Sequence, residues 1–267
     1  WSFIAGRPSS PTLFTIAAIF YALCLIPLGL TQMQQPKQVE VPQLRPRRMF
    51  KISPVGVAGC IAVGFSNAAS WTFLPVYAHD HHMTRALLAG FISAFTIGGA
   101  LVQMPVGRLS DHMDRRVILA GSAICAAILA VALFFFGGLS SSTAILLVTI
   151  YGMAALPVYG LSVAHANDRL PREMFVEASA TLLLINAIAS SIGPVIASQV
   201  IAAFGIGALF LSNAAIHLLL AGFTIVRIRT TAAPQHHDVF EPMPQQASPA
   251  ALELDPRGEH HSEAQAA

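Results

Sequence analysis

Few residues of this chain have side chains that could do acid–base or metal chemistry. Segment 79–82 reads HDHH; imidazole and carboxylate groups suit zinc, although a solvated loop explains the same residues. His165 and Asp168 are three positions apart, so on a helix they could share a ligand, cap the helix or pair with a loop. The cysteines each stand alone in a different apolar run, without disulfide or metal-site spacing: Cys24, Cys60 and Cys125. We therefore expect no metal site and no cofactor.

Long apolar runs without Asp, Glu, Lys or Arg must position these residues. Hydrophobic residues make up 55% of the chain and charged residues 10%, against about 25% charged in soluble domains. A charged side chain at the centre of a bilayer costs roughly 2.5 to 3.5 kcal/mol, so uncharged runs of about 20 residues indicate membrane crossings. The uncharged runs are 13–35, 53–78, 86–106, 117–164 and 178–226. The last two are long enough to hold two crossings each.

These runs predict seven transmembrane helices in an all-α, polytopic membrane protein. The two longest runs divide at GGLSSST (137–143) and at FGIG (204–207). Membrane-spanning β-strands would read as alternating segments of about ten residues, which these runs do not resemble. The predicted helices lie near 12–32, 54–78, 86–106, 117–137, 143–165, 176–203 and 206–227.

Basic residues predict the orientation of these helices, because cytoplasmic loops carry an excess of Lys and Arg. The opposite side holds only Arg7 and Arg85, so we expect the N-terminus outside and the C-terminus in the cytoplasm. The residues of the basic side are Lys37, Arg45, Arg47, Arg48, Lys51, Arg108, Arg115, Arg116, Arg169, Arg172, Arg227 and Arg229.

The segment GRLSDHMDRR (107–116) lies between the third and fourth predicted helices. It resembles the signature loop of the major facilitator superfamily, with a glycine, an acid four residues on and a basic pair at the next helix. Many members have glycine where this chain has Asp114. Four further segments resemble the bacterial YcaD-type branch of that superfamily: FLPVYA (73–78), QMPVGRLSD (103–111), PVYGLSVAHAND (157–168) and SSIGPVIA (190–197).

The resemblance implies the C-terminal half of a permease of the bacterial inner membrane. Residues 1–32 would hold the last helix of the N-terminal half, 33–52 a cytoplasmic linker, 53–227 a six-helix bundle and 228–267 a disordered cytoplasmic tail. The chain would then be a fragment, with Trp1 not a natural start. Its expected partners are a small-molecule substrate, the lipid bilayer and the missing N-terminal half, with proton coupling left open. Nucleic acid is not expected, because the net charge is only +2.

The resemblance also implies a conformational latch in the signature loop that stabilises an outward-open state. Arg169 would partner Asp111, while the basic pair would face carboxylates near the fifth and sixth helices, Asp168, Glu173 or Glu177. In the alternative interpretation the arginines only set topology and Asp111 balances their charge. The proposed latch residues are Gly107, Asp111, Arg115, Arg116 and Arg169.

Polar groups at membrane depth need partners, and they are candidates for a substrate cavity. The superfamily's layout turns the second, third, fifth and sixth helices to the cavity, which makes Asn213 and His217 on the last helix weaker candidates. Each candidate has an alternative role in interhelical hydrogen bonds of about 0.6 kcal/mol. No Asp, Glu, Lys or Arg lies deep in a span, so a proton-carrying carboxylate would belong to the missing half. The candidates are Asn67, Trp71, Tyr151, Tyr159 and Asn186.

Two other classes of protein fit parts of the pattern. A seven-helix receptor would also carry an acid and an arginine at the end of its third helix, as in Asp114–Arg115, but the seventh helix lacks NPxxY. A membrane enzyme would need catalytic groups at one depth, whereas His165 and the 79–82 segment lie on opposite sides. We therefore expect a transporter rather than an enzyme.

Overall fold

The computed structural model describes residues 12–30, 44–171 and 174–231, and within these ranges the regular elements are helices, with no strand. The chain forms two compact units, Trp1–Val41 and Pro42–Ala267. The first contains α1 (Thr12–Leu30). Its apolar stretch, Phe14–Ile26, is shorter than the roughly 20 residues that a crossing requires. The seventh predicted crossing, near 12–32, is therefore not confirmed.

The described residues of the second unit form six spans that are long and apolar enough to cross a membrane, in agreement with six of the seven predicted helices. One span is divided at Leu156, because Pro157 lacks an N–H group and begins a new helix. In chain order the helices are α2 (Pro46–Ile52), α3 (Pro54–Asp80), α4 (Arg85–His112), α5 (Arg115–Phe136), α6 (Ser141–Ala155), α7 (Pro157–Asn167), α8 (Phe175–Phe204) and α9 (Ala208–Thr230).

Small residues bring α4 and α6 into close contact. A Cβ on Gly98 would meet the carbonyl of Thr149, and a Cβ on Gly152 would meet the carbonyl of Phe95. Because helices in lipid associate through close packing rather than through a hydrophobic driving force, such positions favour glycine. Gly193 has the same role between α8 and α3, since a Cβ there would lie 2.5 Å from the Phe65 carbonyl oxygen.

The short helix α2 lies within the predicted linker, 33–52. Its Met49 is buried, and Arg45 and Arg48 lie 3.7 and 3.9 Å from the Glu177 carboxylate at the start of α8. Both arginine side chains are about half exposed, so each ion pair contributes little to stability. The last part of the linker is thus packed against the six-span unit. Residues 33–43 of the linker, and the predicted tail beyond Thr231, lie outside the described residues.

Candidate functional site at the arginine-rich end

The arginine-rich end is the end of the second unit at which α4, α7 and α9 finish and α5 begins. The predicted loop 107–116 is mostly helical there: α4 continues to His112 and α5 starts at Arg115, leaving two residues between them. The predicted extent of this loop is therefore wrong. After buried Gly107, neither proline nor glycine interrupts the helix, and the Ser110 hydroxyl donates to the Gly107 carbonyl at 2.7 Å.

Asp114 caps the N-terminus of α5. Its carboxylate accepts hydrogen bonds from the Arg116 backbone N–H at 2.9 Å and from the Arg116 guanidinium at 2.7 to 3.1 Å. Partial burial raises the pKa of Asp114, but these bonds and the positive charge of Arg116 outweigh burial and lower it below the usual value. Asp114 stands where many members of the superfamily have glycine. Its position directly before a helix is a typical N-cap signal.

Arg116 also joins the start of α5 to the end of α9. Its Nη1 donates to the backbone carbonyls of Thr231 at 2.8 Å and of Arg227 at 3.4 Å. The last carbonyls of a helix have no partner within the helix, and a cation near them is favourable. The second arginine of the basic pair thus links two helix ends within one unit.

Arg115 joins three helix ends through two carboxylates. Its Nη2 lies 3.0 Å from Asp111 Oδ1 at the end of α4, and its Nε lies 2.9 Å from Asp168 Oδ2 just after α7. The side chains of Arg115 and Asp168 are each 1% exposed. Buried charges require such pairing, because an unpaired ion away from water is very unfavourable.

Arg169 is half-buried beside this network. Burial, followed by the positive charges of Arg116 and Arg227, lowers its pKa. Asp111 forms an ion pair with Arg115. The expected pairing of Arg169 with Asp111 stays a prediction. Of the carboxylates expected to face the basic pair, Asp168 contacts Arg115, Glu177 lies beside Arg45 and Arg48, and Glu173 is outside the described residues.

The predicted cavity residues divide into one exposed and four buried side chains. Trp71 is 43% exposed and its ring packs edge-on against Phe95, with centroids 5.3 Å apart. Asn186 donates to the Cys60 carbonyl at 2.9 Å, which is an interhelical hydrogen bond. A role in substrate contact stays a prediction for all five. The buried side chains are Asn67, Tyr151, Tyr159 and Asn186.

A polar cluster in the interior includes Asn213 and His217, the two weaker candidates on the last helix. Asn213 donates to the Ser70 hydroxyl at 2.9 Å, and Ser70 donates to the Ser66 carbonyl at 2.8 Å. His217 Nδ1 lies 2.8 Å from the Asn213 carbonyl, and its ring is 6.3 Å from the ring of Tyr151. Asn213 and His217 are 0% and 1% exposed, so these residues of the last helix face the interior of the unit.

The histidines considered as metal ligands have other surroundings. His81 Nδ1 lies 2.9 Å from the Tyr77 carbonyl, and the two rings stack with centroids 4.1 Å apart. His165 is 1% exposed, and neither ring nitrogen has a hydrogen-bond partner among the residues that the structure describes. In the part of the chain that the structure describes, no three His, Cys, Asp or Glu side chains are grouped as metal ligands would be.

Comparison with known proteins tests the resemblance that the signature segment predicts. The sequence profile described as Major Facilitator Superfamily matches residues 1–194 and, in a second overlapping match, residues 56–254. An uncharacterized MFS-type transporter YcaD of Salmonella typhi is 23% identical over 183 residues, covering 68% of this chain and 47% of that protein.

Proteins of the same name from Escherichia coli O7:K1 (strain IAI39 / ExPEC) and Shigella flexneri serotype 5b (strain 8401) are each 22% identical over 215 residues. These matches cover 80% of this chain and 55% of the relatives. The chain therefore spans about half the length of the curated relatives that it matches. The profile matches cover most of the sequence, which confirms the predicted resemblance. The chain belongs to the Major Facilitator Superfamily.

Proposed function

We propose that this chain supplies the C-terminal half of a secondary active transporter, which moves a small molecule across a membrane by alternating access. The observation that carries the proposal is the superfamily match over most of a chain with six apolar spans. Superfamily membership points to a transporter rather than an enzyme. In this mechanism substrate binds between two halves, which rock to open the site to each side in turn.

The proposed organisation assigns residues 53–227 to the C-terminal bundle and 1–32 to the last helix of an N-terminal half. Residues 33–52 join the halves, and the arginine-rich end with the C-terminus faces the cytoplasm of a bacterial cell. The asymmetry of the basic residues supports this orientation. The partners are a small-molecule substrate, lipid and the N-terminal half. If transport is coupled to protons, the titrating carboxylate belongs to that half, because no Asp or Glu lies deep in a span of this sequence.

We assign the network around Arg115 to a latch that holds the cytoplasmic helix ends in one arrangement. Asp111 and Asp168 neutralise Arg115 from two sides, with Asp111 the more exposed at 18%. A carboxylate that is accessible at the rim can exchange partners when the two halves move, whereas Asp168 is enclosed. Asp111 is therefore the residue of the network best suited to respond to the conformational cycle.

Trp71 is the candidate for contact with substrate that best fits its surroundings. It is exposed on the surface of the unit, while Asn67, Tyr151, Tyr159 and Asn186 are buried within it. Of these, Asn186 is already engaged in an interhelical hydrogen bond. We therefore propose Trp71 as part of the cavity wall and the buried residues as groups that support that wall.

The coding sequence upstream of Trp1 provides the first test. Five further apolar spans and a second segment resembling GRLSD would support the assignment to a C-terminal half. A start codon directly before Trp1 would contradict it and would favour the seven-helix receptor considered above.

The second test measures the conformational cycle of the full protein. A cysteine at position 71, with the native cysteines replaced by serine, should react with a membrane-impermeant maleimide from one side of the membrane. In the same background Asp111→Asn should change that rate severalfold, whereas Arg108→Gln should leave it unchanged, because Arg108 is exposed and makes no ion pair among the described residues. Equal rates in all three proteins would contradict the latch.

A further inference from the structure

An apolar groove of about 380 Å³ lies between α3, α8 and α9, a volume in the range of small-molecule sites. Its lining includes Ile61 and Phe65 of α3, Ile196 of α8, and Ile216, Leu220 and Phe223 of α9. All three helices are apolar spans of the second unit. In a bilayer the groove therefore lies at the depth of the lipid hydrocarbon.

Arg227 continues the α9 side of the groove toward the arginine-rich end. Positions 216, 220, 223 and 227 follow one another at helical spacings of four, three and four residues, so they form one stripe. The guanidinium of Arg227 makes no ion pair or side-chain hydrogen bond with any residue in the described ranges. One turn beyond Phe223 there is thus a positive charge that no carboxylate of the described residues neutralises.

A second guanidinium strengthens the positive field at this end of the groove. After burial, the charges of Arg116 and Arg227 are the next causes that lower the pKa of Arg169, which shows that these cations lie within electrostatic range of one another. Arg116 is neutralised by Asp114, whereas Arg227 has no carboxylate at ion-pair distance among the described residues. The charges of Asp114 and Asp168 raise the pKa of Arg169 but do not outweigh the causes that lower it, which include the repulsion between Arg169 and Arg227. An anion between or beside them would relieve their mutual repulsion.

We propose that this surface binds one anionic phospholipid, with an acyl chain in the groove and the headgroup phosphate at Arg227, assisted by Arg169. The hydrocarbon chain matches the lining, and the phosphate supplies the missing negative charge. Arginine is well suited to phosphate because its planar guanidinium can donate two parallel hydrogen bonds. The proposal uses the membrane orientation given above, in which the arginine-rich end faces the anionic cytoplasmic leaflet, and it does not require the chain to transport anything.

Lipid retention by the purified full chain tests the proposal. The protein is extracted in mild detergent and incubated with phosphatidylglycerol or with phosphatidylcholine of the same acyl chains, and bound lipid is counted by native mass spectrometry. We expect one phosphatidylglycerol to be retained in preference to phosphatidylcholine. Arg227→Gln should reduce that retention by about fivefold, the factor for one basic residue at an anionic membrane surface.

Arg229→Gln is the matched control. Arg229 lies on the same last turn of α9 but about 200° around the helix from Arg227, so it does not face the groove. It is exposed, and its loss should leave lipid retention unchanged. Equal losses of lipid retention in Arg227→Gln and Arg229→Gln would show that retention depends only on the overall surface charge. That result would overturn the proposal.

Two further measurements separate the acyl chain from the phosphate. Ile216→Trp, or the milder Ala58→Leu, fills the groove and should lower retention of phosphatidylglycerol in protein whose thermal unfolding is unchanged. Inorganic phosphate at millimolar concentration should not displace the lipid. Displacement by phosphate alone would indicate a site for a free anion, and full retention in both groove variants would place the lipid elsewhere; either result overturns the proposal.

Discussion

Arg115 and Arg116 are adjacent in the sequence but make different connections. Arg115 pairs with two carboxylates and is almost fully enclosed, whereas Arg116 is shared between the Asp114 cap and the carbonyls that end α9. Because adjacent residues at the start of a helix point about 100° apart, two consecutive arginines can reach different neighbours. A basic pair therefore links more helix ends than one residue could.

Removal of Arg115 should be strongly destabilising. Arg115→Gln leaves Asp168 buried without its ion-pair partner, and breaking a buried pair from one side costs about 3–5 kcal/mol. The double variant Arg115→Gln/Asp168→Asn should recover part of that loss, because position 168 then no longer carries a buried carboxylate that has lost Arg115. Thermal unfolding of the purified chain in detergent measures both effects, with exposed Arg108→Gln as the control. A double variant less stable than the single one would contradict this account of the pair.

The Asp114 cap should contribute to stability in a pH-dependent way. Asp114→Ala removes the acceptor for the Arg116 backbone N–H and should cost about 0.5–2 kcal/mol. Since the pKa of Asp114 is lowered in the folded chain, its charge stabilises the fold above the unfolded pKa of about 4 and this contribution is lost as the pH falls through the folded value. The difference in stability between the wild type and Asp114→Asn should thus be constant near neutral pH and disappear in acid. A stability difference that grew on acidification would show that folding raises the pKa of Asp114, which would contradict this account.

At the scale of helices, small residues decide which spans lie side by side. Gly98 and Gly152 allow α4 and α6 to approach until backbone atoms touch, and Gly193 does the same for α8 against α3. The apolar composition of the spans does not distinguish one neighbour from another, because lipid is as apolar as the side chains. Which spans become neighbours therefore depends in part on a few glycine positions.

Two glycines of α4 provide a matched comparison of this effect. Gly98→Ala should destabilise the chain by about 1–3 kcal/mol, because the added methyl group would overlap the Thr149 carbonyl. Gly90→Ala lies in the same helix with nothing within 4 Å of the new Cβ, so it should stabilise by about 0.5–1 kcal/mol through helix propensity. Shifts of the same sign in thermal unfolding would contradict close packing at Gly98.

At the scale of the whole molecule, the arginines are collected at one end of the six-span unit. The opposite end, around the α3–α4 connection, carries histidines and Asp80 with Arg85 alone as a basic residue in that connection. Such asymmetry orients a membrane protein during insertion. The ion pairs near Arg115 then lie where helix ends meet water, and they do not place charges at the centre of the bilayer.

Cysteine labelling should show the two ends on opposite sides of the membrane. In a background without Cys24, Cys60 and Cys125, His79→Cys should react with a membrane-impermeant maleimide in intact cells, and Met113→Cys should react only after the cells are opened. Both positions are exposed in the structure, so access through the membrane decides the result. Reaction of both cysteines in intact cells would contradict the proposed orientation.

Local properties of the sequence determined the spans of the second unit. Absence of charge over about 20 residues and the breaks at 137–143 and 204–207 predicted six helices that the structure contains. They could do so because the cost of placing charge in hydrocarbon depends on each segment by itself. The signature segment and its resemblance also identified the superfamily. The tertiary structure alone decided that Arg115 meets Asp168 and that Asn213 and His217 turn to the interior. These contacts join residues distant along the chain, and their formation depends on which helix faces pack together, which no single apolar run specifies.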